Sequence, residues 1–290
     1  MSLERLKGLI KPNNTIERSG IYVAKEMSEK TVWDKLALEN PTHAVISAKD
    51  ENTAKAKSAE QIEDIKHFVK PGDILLDCGT GYGRVAKYLL PQVAIGGYIG
   101  VDSAFDMLTL FKDRYDQTPG EQTTPLLLLN ADIHTIPLLE ASVDKALVSA
   151  VFLHNHKTVV GNAMEEIKRV LKPGGTLLVF SSFPRSATLM GIQGHAYQMV
   201  LNLIGKPFKN GPVRYYRRRE IMHLFDGFSE FELRPVGFNV LPKSIIILPQ
   251  ILDNVWRLGI ANPVNKVLGK ICPARLKPYF AVHYDVIATK

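Results

Sequence analysis

Two acids and three closely spaced glycines carry the first chemistry legible in this chain. Asp77 follows a short apolar run, Ile74-Leu75-Leu76; Gly79, Gly81 and Gly83 come next at spacing two, then Arg84. A run that short and apolar is typical of a strand buried on both faces. Val85, Ala86, Tyr88, Leu89 and Leu90 open a periodic stretch that predicts a helix. Strand, glycine turn and helix is how an open α/β sheet presents a ligand at the carboxyl ends of its strands. Glycine lets the backbone approach that ligand with no Cβ between them. Asp102 closes a second strand, Gly97–Asp102, far enough past Gly83 for one helix and a return strand. A carboxylate there can accept hydrogen bonds from both hydroxyls of a ribose, a charge-assisted pairing. The ligand these residues point to contains a nucleoside, and Asp102 suits more than one such cofactor. A nicotinamide dinucleotide fold with Gly-x-Gly-x-x-Gly would need its third glycine at position 84, where arginine stands and cannot serve close helix–strand packing.

The segment Asp77-Cys78-Gly79-Thr80-Gly81-Tyr82-Gly83 resembles the first motif of the class I S-adenosylmethionine (SAM) methyltransferases, an acid followed by Gly-x-Gly-x-Gly. Further elements follow in the order of that family over about a hundred residues. A third strand, Leu126–Leu129, leads into Asn130-Ala131-Asp132-Ile133, and a fourth, Ala146–Val151, follows Asp144. A helix ending at Leu171 then meets Lys172-Pro173-Gly174-Gly175 and a fifth strand, Thr176–Phe180. That turn has a physical reason, since glycine can stop a helix in left-handed geometry and proline cannot continue it. The resemblance implies SAM as cofactor and S-adenosylhomocysteine (SAH) as product. It implies that Asp132 takes the adenine amino group and the Ile133 amide the ring nitrogen. The cofactor contacts it assigns are Asp77, Gly79, Thr80, Gly81, Gly83, Asp102, Ser103, Asp132, Ile133 and Ser149. The fold it implies is a Rossmann-like, mostly parallel seven-stranded sheet with helices on both faces and an antiparallel last strand.

Methyl transfer from a sulfonium is an in-line displacement, so much of the work is holding donor and acceptor at near-contact distance. An oxygen or carbon acceptor also needs a base. His154, in Leu153-His154-Asn155-His156 just past the fourth strand, is the candidate nearest the reacting end. Histidine suits the task because it titrates near neutrality. His195, Tyr215 and Tyr216 are weaker candidates. Ser149-Ala150-Val151-Phe152 lacks the Asn/Asp-Pro-Pro-Tyr/Phe motif of enzymes that methylate adenine amino groups or glutamine side chains. No His, Asp and Glu cluster has metal spacing, so no metal is expected.

The elements that must position these groups divide the chain in two. Residues 1–66 read as an N-terminal helical segment that forms a lid over the cofactor pocket, with Tyr22 and Trp33 as residues that either cover the cofactor or simply pack. Its helical signals are Trp33–Ala37 and, after a polar stretch through Asn52, Ala59–Val69. Residues 67–290 read as the methyltransferase domain, with inserts at about 184–214 and 240–278. The inserts are rich in aliphatic residues, such as Leu203, Ile246, Ile247, Ile251, Val255 and Ile271, and sit where the family builds acceptor pockets. A sixth strand, Phe231–Leu233, separates them, and a last strand runs to Ala288.

The chain has 290 residues, a 46% hydrophobic fraction and a formal net charge of +7. Two cysteines, Cys78 and Cys272, argue against a disulfide framework and fit a reducing compartment. No signal peptide is expected, and no run approaches the roughly 20 apolar residues of a spanning helix. The expected location is therefore cytoplasmic, with peripheral membrane contact as the further expectation. The basic stretch Lys206–Arg219 raises an RNA methyltransferase as the alternative, but no appended RNA-binding module is evident. The other alternative is a SAM-binding protein without transferase activity. The sequence predicts a methyltransferase acting on a small apolar or amphipathic acceptor at oxygen or carbon. It says nothing of oligomeric state.

Overall fold

A computed structural model describes the chain except residues 28–32, 36–50, 118–123, 206–212, 243–244 and 246–247. Parts of several expectations fall outside the described residues: residues 28–32 and 36–50 of the lid over the pocket, among them the helix beyond residue 35, Lys206 and Lys209, and Ile246-Ile247.

Nine strands form one sheet: β1 (Thr15–Arg18), β2 (Ile21–Ala24), β3 (Ile74–Cys78), β4 (Gly97–Asp102), β5 (Leu126–Asn130), β6 (Val143–Ser149), β7 (Leu171–Pro184), β8 (Glu230–Val236) and β9 (His283–Thr289). Their spatial order is β1-β2-β5-β4-β3-β6-β7-β9-β8. The strands β5, β4, β3, β6 and β7 run parallel, and β9 is antiparallel to both β7 and β8. The expected seven-stranded, mostly parallel sheet with an antiparallel last strand is therefore present, and the strand count is corrected from seven to nine. The two extra strands come from the N-terminal segment, which is not wholly helical. Ser19 and Gly20, both at positive φ, close the β1–β2 hairpin. A two-residue turn of this kind matches the twist of antiparallel strands. Strand β2 then adds in parallel to the β5 edge through Tyr22 and Val23.

Every residue of β3 is buried, as its unbroken apolar run requires. Successive side chains alternate between faces. Leu75, Tyr98 and Leu147 pack on one side with Ile62, Ile65 and Leu89, and Leu76, Ile99 and Val148 pack on the other with Val160 and Ile167. The helix before β3 begins at Glu51, so the polar stretch expected to delay it is helical from there. Leu171 and Thr176 pair with Val143 and Lys145, and the Lys-Pro-Gly-Gly turn is the irregularity between them, with Gly174 in the left-handed region. The second insert is one helical run through 250–255, a π turn at 256–261, and 262–271. Pro263 lacks an amide proton and crowds the preceding turn, and a wider turn just before it relieves both.

Candidate active site

The site lies at the carboxyl ends of β3, β4, β5 and β6. A cleft of about 350 Å³ opens there, lined by Gly79, Gly81, Asp102, Ser103, Asp132, Ile133 and Ser149 among others. That volume is in the range of small-ligand sites.

The glycine turn after β3 is fixed from below. The Gly79 and Thr80 amides donate to the Val101 carbonyl at 2.7 and 3.0 Å. Asp77, 1% exposed, accepts from Thr80 Oγ1 at 2.8 Å and Tyr98 Oη at 2.5 Å. Burial pushes the Asp77 carboxyl up, against those two hydrogen bonds and the nearby Arg84 charge. Gly79 has φ +76°, and a Cβ there would lie 2.3 Å from Val151 Cγ2; Gly83 has φ +80°, and its Cβ would lie 2.2 Å from Phe111. Both positions need glycine for conformation and for space. Asp77, Thr80 and Gly83 thus lie behind the cleft wall and shape it, whereas Gly79 and Gly81 reach its surface.

Asp102 ends β4 with its carboxylate held between two amides. Oδ2 accepts from Gly81 at 2.8 Å and Oδ1 from Ala104 at 2.9 Å. Burial pushes its pKa up to about 6, opposed by these two hydrogen bonds and assisted by Asp77 and Asp34. Asn130, buried at the end of β5, donates to the Asp102 and Ser103 carbonyls at 3.0 Å each and fixes the next turn. Ser149 Oγ accepts from Arg84 Nη2 and Gln61 Nε2, each at 2.8 Å, and so ties the cleft to the helix before β3. Arg84, 5% exposed, also meets Ser58 and Gln61.

Beyond Ser149 the wall turns toward Ala150, Val151, His154 and Val159. Ala150 is held in the left-handed region, at positive φ. That conformation costs a non-glycine residue roughly 1–2 kcal/mol. His154 lies on the cleft with its ring 5.2 Å from that of Trp33, edge to face. Trp33 is at the surface of the cleft, whereas Tyr22 is not among its lining residues. His195 and Tyr215 pair with each other away from the cleft, and Tyr216 is buried with Oη donating to the Phe152 carbonyl. Cys78 is buried in the core, where burial pushes its thiol up.

Among the described residues, no residue of either insert lines the cleft; its outer wall is built from Trp33 and the turn after β6. Asn130, Met107, Val159 and the bridging role of Arg84 were not read from the sequence. Arg84 had a signal, a cation directly after the glycine turn, but what it touches depends on the helix before β3, which is distant in the chain.

A family model described as a methyltransferase domain matches residues 76–179. The chain is 31% identical over 143 residues to a ubiquinone/menaquinone biosynthesis C-methyltransferase UbiE from Syntrophotalea carbinolica, covering 49% of this chain and 58% of that protein. It is 32% identical over 149 residues to the protein of the same name from Bordetella avium, covering 51% and 56%. The match thus spans little more than half the length of these curated relatives. A chain in the complex between the Haloferax volcanii Trm112 methyltransferase activator and a methyltransferase superposes with a TM-score of 0.54 at 17% identity, over 90% of this chain and 99% of that one. Haemonchus contortus phosphoethanolamine N-methyltransferase 2, solved with S-adenosyl-L-methionine, superposes at 0.53 and 16% identity, over 92% and 61%. These last two show the shared fold.

Proposed function

We propose that the chain is a class I SAM-dependent methyltransferase that transfers a methyl group to a carbon or oxygen of a small apolar or amphipathic acceptor. The observation that carries the proposal is the Asp102 carboxylate, gripped by the Gly81 and Ala104 amides at the edge of a cleft that also exposes Asp132 and Ile133.

The residues present fit the cofactor. Two backbone amides use one lone pair on each Asp102 oxygen and leave others for the ribose hydroxyls. Asp132 and the Ile133 amide form the adenine end, while Gly79, Gly81 and Ser149 form the opposite end. When bound, SAM supplies an electrophilic methyl on a sulfonium. The protein's part is to align the acceptor and to remove its proton. Trp33, Val151 and Val159 give the acceptor side an apolar surface that excludes water. His154 is placed to take the proton; its Nδ1 is buried, which leaves Nε2 to do so. The names of the curated relatives favour carbon as the methylated atom. The RNA alternative is not favoured, since Arg217, Arg218 and Arg219 start a separate helix and do not line the cleft.

Calorimetry with SAH and with NAD tests the reading. SAH should bind and NAD should not; heat with NAD alone would overturn it. SAH release assayed with quinol-like and phenolic acceptors then separates carbon from oxygen.

A further inference from the structure

We propose that the helical run 250–271, with the turn that follows to residue 280, lies flat on the surface of an anionic phospholipid bilayer. The inference does not depend on which acceptor is methylated.

Ile251, Val255 and Leu258 recur at spacings of four and three, which places them on one helix face. They are 78%, 61% and 64% exposed, and Ile271, one turn past the exposed Val267, is 71% exposed. This face cannot roll inward, because polar bonds pin the opposite side. Buried Asn265 accepts the Val240 and Leu241 amides at 2.9 and 3.0 Å and donates to the Leu241 carbonyl at 2.9 Å. Trp256 Nε1 donates to the Pro242 carbonyl at 2.9 Å, and Asp253 accepts the Ile245 amide at 2.7 Å.

Charge selects the occupant. Residues 250–280 hold five cations, Arg257, Lys266, Lys270, Arg275 and Lys277, against the single acid Asp253. All five are exposed, and none is in an ion pair among the described residues. Protein interfaces are depleted in lysine and enriched in aromatics at their centres. Here the exposed aliphatic residues share one helical run with Lys266 and Lys270, and Tyr279 in the turn that follows is exposed as well. That is instead the make-up of a helix lying at a lipid surface. No helix among the described residues is long and apolar enough to cross a membrane, so the contact lies on the bilayer and not through it.

The test is co-sedimentation of the full chain with phosphatidylcholine vesicles, with and without phosphatidylglycerol. Binding should require phosphatidylglycerol and should weaken at least about tenfold when salt rises from about 0.05 to 0.5 M, as screening shortens the reach of surface charge. The double variants Ile251→Asp/Leu258→Asp and Lys266→Glu/Lys270→Glu should each lose at least about tenfold in vesicle partitioning. Their SAH affinity should stay unchanged, which shows that they fold. No vesicle binding by a chain that binds SAH overturns the proposal, as does equal binding by the variants or equal binding to neutral vesicles. A dimer seen by light scattering and abolished by Leu258→Asp, without vesicle binding, overturns it in favour of a second copy. Failure to bind SAH would instead strike the methyltransferase reading alone.

Discussion

Asp102 Oδ2 accepts the Gly81 amide at 2.8 Å, so the acid proposed to take the ribose hydroxyls also holds the middle of the glycine turn. The second strand and the first motif are therefore one mechanical unit. Replacing Asp102 with alanine removes a partner from the Gly81 and Ala104 amides, at roughly 1–3 kcal/mol for each buried group left unsatisfied. The variant should lose at least about tenfold in SAH affinity and also melt earlier without ligand. Calorimetry and thermal melts read the two effects separately. Unchanged affinity would show that the ribose lies elsewhere.

The same carboxyl predicts a pH signature. Burial pushes Asp102 up to about 6. Below that value it protonates and loses capacity as a double acceptor, so SAH affinity should fall as pH drops from about 7.5 to 5, by no more than about tenfold per unit. Stability moves the other way. A carboxyl raised on folding binds its proton more tightly in the folded state, so its contribution is greatest in acid and is lost as pH rises from its ordinary value through about 6. Asp102→Asn should flatten the affinity profile. A flat profile in the unaltered protein would remove Asp102 from the binding step.

Gly79 packs under Val151, with a prospective Cβ 2.3 Å from Val151 Cγ2. Gly79→Ala combines left-handed strain of roughly 1–2 kcal/mol with overpacking of roughly 1–3 kcal/mol. It should lower the melting temperature and abolish measurable SAH binding. Adding Val151→Ala relieves the clash but not the strain, so it should restore part of the stability. Full restoration would mean that backbone strain at Gly79 is negligible.

The parallel core is legible because β3 to β7 are short apolar runs, and those of β3, β4 and β5 are closed within two residues by a glycine or an acid. The β1–β2 hairpin was missed although Ser19-Gly20 is a turn signal, because its strands carry mixed polarity. Three of the four β1 residues are exposed, and β2 gains its place only by pairing with distant β5. The spacing of the glycines and Asp102 puts them at strand ends, and Gly79, Gly81 and Asp102 line the cleft. The bridge from Arg84 through Ser149 to Gln61 is not legible, since it joins three elements separated by up to 88 residues. The orientation of the inserts is not legible for a related reason. Aliphatic residues of the inserts suggest a pocket lining, but sequence cannot say whether such a face turns inward, and the bonds of Asn265 and Trp256 turn it outward.

Trp256 tests that outward arrangement from its inner side. The indole is half-buried and bonded to the Pro242 carbonyl. Trp256→Ala should cost less than the roughly 3–5 kcal/mol of a fully buried tryptophan and leave SAH affinity unchanged, since no described insert residue lines the cleft. A loss of SAH affinity in a chain that still melts cooperatively would put the insert back at the pocket.

His154 carries the last prediction, because it alone of the candidate bases reaches the cleft. It stands on the short helix after β6, edge to face with Trp33, where the strained Ala150 backbone turns the chain along the cleft wall. If it takes the acceptor's proton, His154→Gln should lower turnover by roughly 10²–10⁴-fold, the range for a positioned general base. SAH affinity should be unchanged, because the proposed cofactor contacts come from the glycine turn, Asp102 and Asp132. Trp33→Phe keeps an aromatic edge beside the ring and should retain most activity, whereas Trp33→Ala should raise KM more than it lowers kcat. A His154→Gln enzyme with near-normal turnover would show that the acceptor gives up its proton to solvent, leaving His154 as part of the wall.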